Sequence, residues 1–203
     1  MRDAALIFLS ALVALLITEF YERVVKRPSF FVQTGDKADG PSHRFLHINV
    51  TNVERTGLRK FLRSNSAAEL LKVRITFIDP VSGADICDFT GRWSSKAEPL
   101  DDIDFSTGTG KYSPFLAKDA ETEALLPGET SPLTVALKSN KEHAFYGFNN
   151  GSYIYGWKDP KLEVELNSVI VKFELFTTKF KKQSKFAISN PSDKIQSFKI
   201  QKL

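Results

Sequence analysis

A recurring alternation of apolar and polar residues, with a period of two, limits the folds open to this chain more than any other feature. Between Phe45 and Val53 it places Leu46, Ile48 and Val50 on one side and His47, Asn49 and Thr51 on the other. Leu71, Val73, Ile75 and Phe77 alternate with Lys72, Arg74 and Thr76 until Asp79-Pro80 ends the run. The spacing returns in Leu133, Val135 and Leu137, and again in Val169, Val171, Phe173 and Leu175. Phe186 with Ile188, and Phe198 with Ile200, flank the break at Asn190-Pro191. Successive side chains of a strand point to opposite faces, so each run reads as a half-buried strand. Further strands expected at 86–93, 143–148, 152–157 and 162–166 bring the total to about nine, the pattern of an all-β sandwich. Residues 55–70 read as one short helix or a loop, and 94–128 as a long irregular connection.

The N-terminus breaks this pattern. Ala4 to Ile17 holds thirteen apolar residues and one Ser, without charge. Extended through Thr18, Phe20, Tyr21, Val24 and Val25, a helix would reach roughly 33 Å, enough for a bilayer. Residues 4–25 are therefore expected to form a single-pass transmembrane anchor, with Phe20 and Tyr21 in the aromatic belt. No small-residue cleavage site follows, which argues against a signal peptide. Arg23, Lys26 and Arg27 outnumber Arg2, which favours a cytoplasmic domain, whereas the sequons at Asn49 and Asn150 point to the other side. Residues 26–42 read as a stalk and 43–203 as the sandwich.

The order of the later pieces carries a resemblance. The segments FLHINVTN (45–52), Gly91-Arg92-Trp93-Ser94, LLPGETSPLTVALK (125–138) and YGFNNGSY (146–153) lead into VIVKFELF and KFAISN. The chain resembles uncharacterised prokaryotic membrane-anchored proteins with an immunoglobulin-like β-sandwich domain. The resemblance implies an immunoglobulin-like antiparallel sandwich and a generic binding role. It brings no catalytic residue with it, and the insertion near 58–68 departs from the compact version of the fold.

Local signals for chemistry are weak. One cysteine, Cys87, excludes an internal disulfide framework and a Cys-based zinc site. Ser106 to Lys111 imitates a phosphate loop, but Phe105 and Tyr112 stand where that motif needs Gly and Ser or Thr. Asp101, Asp102 and Asp104 fail the geometry of an EF-hand loop, with Thr107 and Ser113 at its strict positions. His43, His47 and His143 are too scattered for a metal set, and Glu163 and Glu165 read as solvated alternation. No catalytic residue, metal or cofactor is expected, and nucleic acid is not expected as a partner, because the net charge of +4 is small and mixed.

Two surfaces remain as candidates. Around the turn signal Asn149-Asn150-Gly151, Tyr153, Tyr155 and Trp157 would share one strand face, either as core or as a strip for glycan or extended peptide. Residues 171–203 hold eight Lys against two acids, and Lys179, Lys181, Lys182 and Lys185 are placed to meet an anionic surface. The expected function is a membrane-anchored interaction or scaffolding module, its partners the lipid bilayer and a protein. The glycan- or peptide-binding reading is the alternative.

Overall fold

Runs that alternate need a second apolar surface to cover them, and this chain supplies it with a second sheet. The computed structural model describes residues 2–21, 28–54, 66–104, 109–177 and 180–203. The first sheet runs β1 (Phe30–Thr34), β3 (His43–Asn52), β10 (Thr130–Ser139), β11 (Phe145–Gly147) and β12 (Glu163–Val164). Two short strands join it, β2 (Ala38–Asp39) beside β3 and β6 (Arg92–Trp93) beside β10. The second sheet runs β15 (Lys199–Lys202), β14 (Lys181–Ser189), β13 (Ser168–Phe176), β4 (Ala68–Ile78) and β5 (Asp85–Thr90), with β9 (Glu123–Leu125) also on β4. Between β6 and β9 the chain forms a hairpin of β7 (Leu100–Asp104) and β8 (Thr109–Tyr112), then a short helix, Pro114–Ala120. The pairings are antiparallel throughout.

One apolar core lies between the sheets. Leu46, Ile48 and Val50 of β3 meet Val73, Ile75 and Phe77 of β4 and Val171, Phe173 and Leu175 of β13 in a single buried cluster. Trp93, Phe145, Phe186 and Phe198 fill it, each fully enclosed or nearly so. The all-β sandwich expected from the alternation is present, and β3, β4, β13 and β14 bury the residues that the pattern assigns inward.

Four expectations differ. The stalk at 26–42 is in part sheet: β1 pairs with β3, and Phe30 and Val32 are buried in the core. The single strand expected at 86–93 divides at Gly91, so β5 belongs to the second sheet and β6 to the first. Glycine suits that passage, because a Cβ there would lie 3.0 Å from Leu133 Cδ1 and 3.3 Å from Ile75 Cδ1, and these core side chains would have to give way. In β10 a bulge between Thr134 and Ala136 resets the phase. Ala136 and Lys138 then face inward opposite Leu46 and Arg44, while Leu137 turns to the outer face opposite Phe45. The region 94–128 holds regular elements where irregular chain was expected. The expectation for 55–70 falls largely on 55–65, outside the described residues.

The anchor is also corrected. The N-terminal helix spans Arg2–Phe20, and 22–27 lie outside the described residues. Nineteen residues rise about 28 Å, and Asp3 and Glu19 confine the uncharged run to Ala4–Thr18, about 22 Å against a hydrocarbon core of about 30 Å. Among the described residues no helix is long and apolar enough to cross a membrane. Leu6, Ile7, Phe8, Leu9, Leu15 and Leu16 are all exposed, so apolar side chains point outward all round this helix.

Cations close one edge and one end of the sandwich. Beside edge strand β1, Lys182 Nζ donates to the Phe30 carbonyl, and Lys202 Nζ to the Val32 carbonyl at 2.6 Å. At one end of the core Arg44 and Lys138 both point inward. Arg44 grips Asp39 through two bonds of 2.5 and 2.6 Å and donates to the carbonyls of Gln196 and Phe198. Lys138, fully buried, holds Asn190 Oδ1 and the carbonyls of Ser192 (2.7 Å) and His143 (3.3 Å). Two charged side chains in the core thus fasten the segment that connects β14 to β15.

Candidate interaction surfaces

Tyr153, Tyr155 and Trp157 do not share a strand. Asn149 caps a 3-10 helix at Asn150–Tyr155: its Oδ1 accepts from the Ser152 amide at 3.1 Å, and its own amide donates to Ser152 Oγ at 3.2 Å. Such reciprocal capping closes a helix start, and Gly156, at φ 58°, turns the chain back. Without a hairpin, the three rings separate. Tyr153 stacks edge-on against Phe148 at 5.6 Å and lies under the Arg92 guanidinium at 5.2 Å. Burial pushes its phenol up to about 12. Trp157 meets Phe45 and His43 edge-on at 5.7 and 5.1 Å. Both therefore roof the outer face of the first sheet, above the displaced Leu137, while Tyr155 remains 48% exposed.

The lysines also divide. On β14, Lys181 and Lys185 point to the outer face, and Lys182 points to the other side, where it serves the β1 edge. Lys179 lies outside the described residues. Asn150 is buried, its Nδ2 donating to the Ala117 carbonyl at 2.7 Å, so that sequon belongs to the packing. Asp101 lies on β7 opposite Lys111, and 105–108 lie outside the described residues. Among the described residues no group of three or more His, Cys, Asp and Glu is arranged to hold a metal. Cys87 is half-buried, and burial pushes its thiol up to about 11, away from reactivity.

His47 Nδ1 lies 3.2 Å from Thr134 Oγ1, and burial holds its pKa below the ordinary 6.5. The folded state then binds this proton less readily than the unfolded chain. Stability is expected to be level above the unfolded value and to fall as pH drops through 6.5 toward the lower folded one. Thermal melts between neutral and mildly acidic pH should show that slope, and His47→Gln should flatten it. An unchanged slope would assign the acid sensitivity elsewhere.

Three concave regions remain. A slot of about 450 Å³ runs beside β5, lined by Ile86 to Thr90 on one side and by Asn149, Asn150 and Asp159 on the other. β5 ends the second sheet, and no backbone bond joins its outer side to another element among the described residues. A wider groove of about 810 Å³ gathers Leu70, Phe115 and Phe176, with Lys72 and Lys118 beside them. Leu70 is 64% exposed at φ 51° and Phe115 is 80% exposed. A leucine held in the left-handed region costs about 1 kcal/mol or more. The third, about 380 Å³, is a shallow patch around His47 and Asn49.

Comparison with protein-family models, with curated proteins and with solved structures gives no match. The functional argument therefore rests on these surfaces. The free β5 edge and the Leu70–Phe115 groove were both illegible in sequence. Period-two patterning identifies a strand without saying which neighbours it lacks, and the groove joins residues forty or more positions apart.

Proposed function

We propose that this chain is a membrane-associated, non-enzymatic interaction module, an immunoglobulin-like sandwich that holds a protein partner close to a bilayer. Strand order supports the immunoglobulin-like reading. β1, β3, β10 and β6 correspond to one sheet of that fold, and β5, β4, β13 and β14 to the other.

The observation that carries the interaction role is the contrast between two sheet edges. Lysines close β1, whereas β5 offers six residues of unpaired edge beside an open slot. Exposed edges are usually blunted, and one left open is a template onto which an extended peptide adds as a further strand. Glu121 and Asp159 outnumber Lys161 in the slot lining, which favours a peptide with basic side chains. The aromatic strip is the weaker reading, because two of its three rings pack down onto the outer face of the first sheet.

Membrane association is supported by the N-terminal helix. A helix apolar on every side has no face suited to water. Inserting the uncharged run into hydrocarbon buries that surface, with Glu19 near the headgroups, and does not require crossing. A cytoplasmic position accords with the single free cysteine and the buried Asn150.

A photo-crosslinking residue placed at Ile86 should give one discrete adduct with a membrane-extracted partner, competed by a basic extended peptide. The same residue at Val81, 93% exposed at the β4–β5 hairpin, should give none. Equal labelling from both positions, or turnover of a substrate in a broad hydrolase screen, would count against the proposal.

A further inference from the structure

We propose that the outer face of the second sheet docks on an anionic bilayer surface, with Phe115 and Leu70 dipping into the headgroup layer. This rests on the membrane association argued above and specifies how the domain lies.

The register places Lys72, Arg74, Lys172, Lys181, Lys185 and Lys199 on that one face. Among the described residues three acids stand with them, and the third, Asp85, lies opposite Ile78 at the far end of β4. Glu174 takes Lys172 at 3.3 Å and Lys181 at 2.8 Å, and Asp88 takes Arg74. Among the described residues Lys72, Lys185 and Lys199 have no carboxylate within ion-pair distance. Lys185 also lies directly across from Lys172, and like charges in that position weaken a sheet. Such a surplus on four adjacent strands is poorly suited to the fold alone and well suited to an extended negative surface.

The apolar groove continues the same face. Phe176 pairs with Lys72 and with Lys181, so the row at the end of the sheet runs into Leu70 and Phe115. Exposed leucine and phenylalanine beside unpaired lysines are what an interfacial surface needs: apolar groups to enter the headgroup boundary and cations to meet lipid phosphates and carboxylates. A soluble polyanion would use the lysines and leave Phe115 and Leu70 in water, so the bilayer fits both halves of the surface. The β5 edge lies at the side of this sheet, clear of the plane that would meet the lipid.

The test uses the full chain and two kinds of vesicle, phosphatidylcholine alone and phosphatidylcholine with phosphatidylserine. Neutral vesicles report helix insertion, and the additional binding on anionic vesicles reports the face. A lysine held near an anionic surface strengthens binding about fivefold, so Lys72→Gln, Lys185→Gln and Lys199→Gln together should remove about 100-fold. That variant should leave neutral-vesicle binding unchanged, and the anionic gain of the unaltered chain should fall steeply with salt. Phe115→Ser should cost a further loss of about tenfold on anionic vesicles. A control with Lys37→Gln, Lys161→Gln and Lys194→Gln carries the same charge change elsewhere and should lose little. Equal losses from both triple variants, no preference for anionic vesicles, or equally tight binding of inorganic polyphosphate would overturn the proposal. Failure on neutral vesicles with the lysine-dependent gain intact would count against helix insertion and uphold the face.

Discussion

Trp93→Ala is expected to lower the stability of the sandwich by about 4–5 kcal/mol. Trp93 is fully enclosed, and it sits on a two-residue strand that pairs, among the described residues, with β10 alone. Its ring occupies the core, and its Nε1 donates to the Leu71 carbonyl at 3.2 Å, tying the first sheet to β4 of the second. Alanine leaves a cavity that the packed sheets can only partly close, and it also strands a buried carbonyl. In a chain of this size the loss corresponds to roughly 10–15 °C in melting temperature. Trp157→Ala provides the comparison, since that ring lies on the outer face against Phe45 and His43 and leaves no void between the sheets. Denaturant melts of both variants decide the matter. A Trp93→Ala loss no larger than that of Trp157→Ala would show that the core does not depend on this residue.

The contrast between the two tryptophans shows what alternation can and cannot reveal. Burial of Leu46, Ile48 and Val50, or of Val171, Phe173 and Leu175, was legible because an uninterrupted strand keeps its phase. Leu137 was placed on the wrong side because one extra residue at the β10 bulge shifts every later side chain, and nothing in the local sequence marks it. Phe30 and Val32 were passed over because β1 is short and sits among glycines and aspartates that resemble a linker. At Asn149 a usable signal was present: Asn with Ser three positions on, and a later Gly, is a helix-capping pattern that competes with the Asn-Gly hairpin reading. The strip of Tyr153, Tyr155 and Trp157 fell with that turn, since a 3-10 helix repeats every three residues and distributes them to different sides.

The candidate surfaces were less legible still, because they depend on what is missing beside a strand. Lys181 and Lys185 were recognised as a basic cluster, but their partners in that surface, Lys72, Lys172 and Lys199, come from three other strands. Charge counted along the chain could not separate Lys182, which closes an edge, from its two neighbours in the same strand. Edges and faces are set by pairing order, and order is a property of the whole sheet.

Lys138→Met should show how far a charge in the core can be structural. Methionine matches the length of the lysine stem and keeps most of its packing, so the substitution isolates the ammonium group. Removing that group leaves Asn190 Oδ1 and the Ser192 carbonyl without that donor in a region closed to water, while the His143 carbonyl keeps its bond from Asn190 Nδ2. Each buried acceptor left unpaired costs about 1–3 kcal/mol, and some relaxation is expected, so the loss should be about 3–4 kcal/mol. Asn190 is fully buried as well, and its Nδ2 donates to the His143 carbonyl at 2.6 Å, so the two side chains form one hub. Asn190→Leu alone should also destabilise the fold, by leaving the ammonium underbonded. In the double variant the Lys138–Asn190 bond is already gone, and the combined loss should fall short of the sum by at least about 1 kcal/mol. Urea melts of the four proteins give that difference directly. If the losses simply add, Lys138 and Asn190 act separately, and the two side chains do not form one hub.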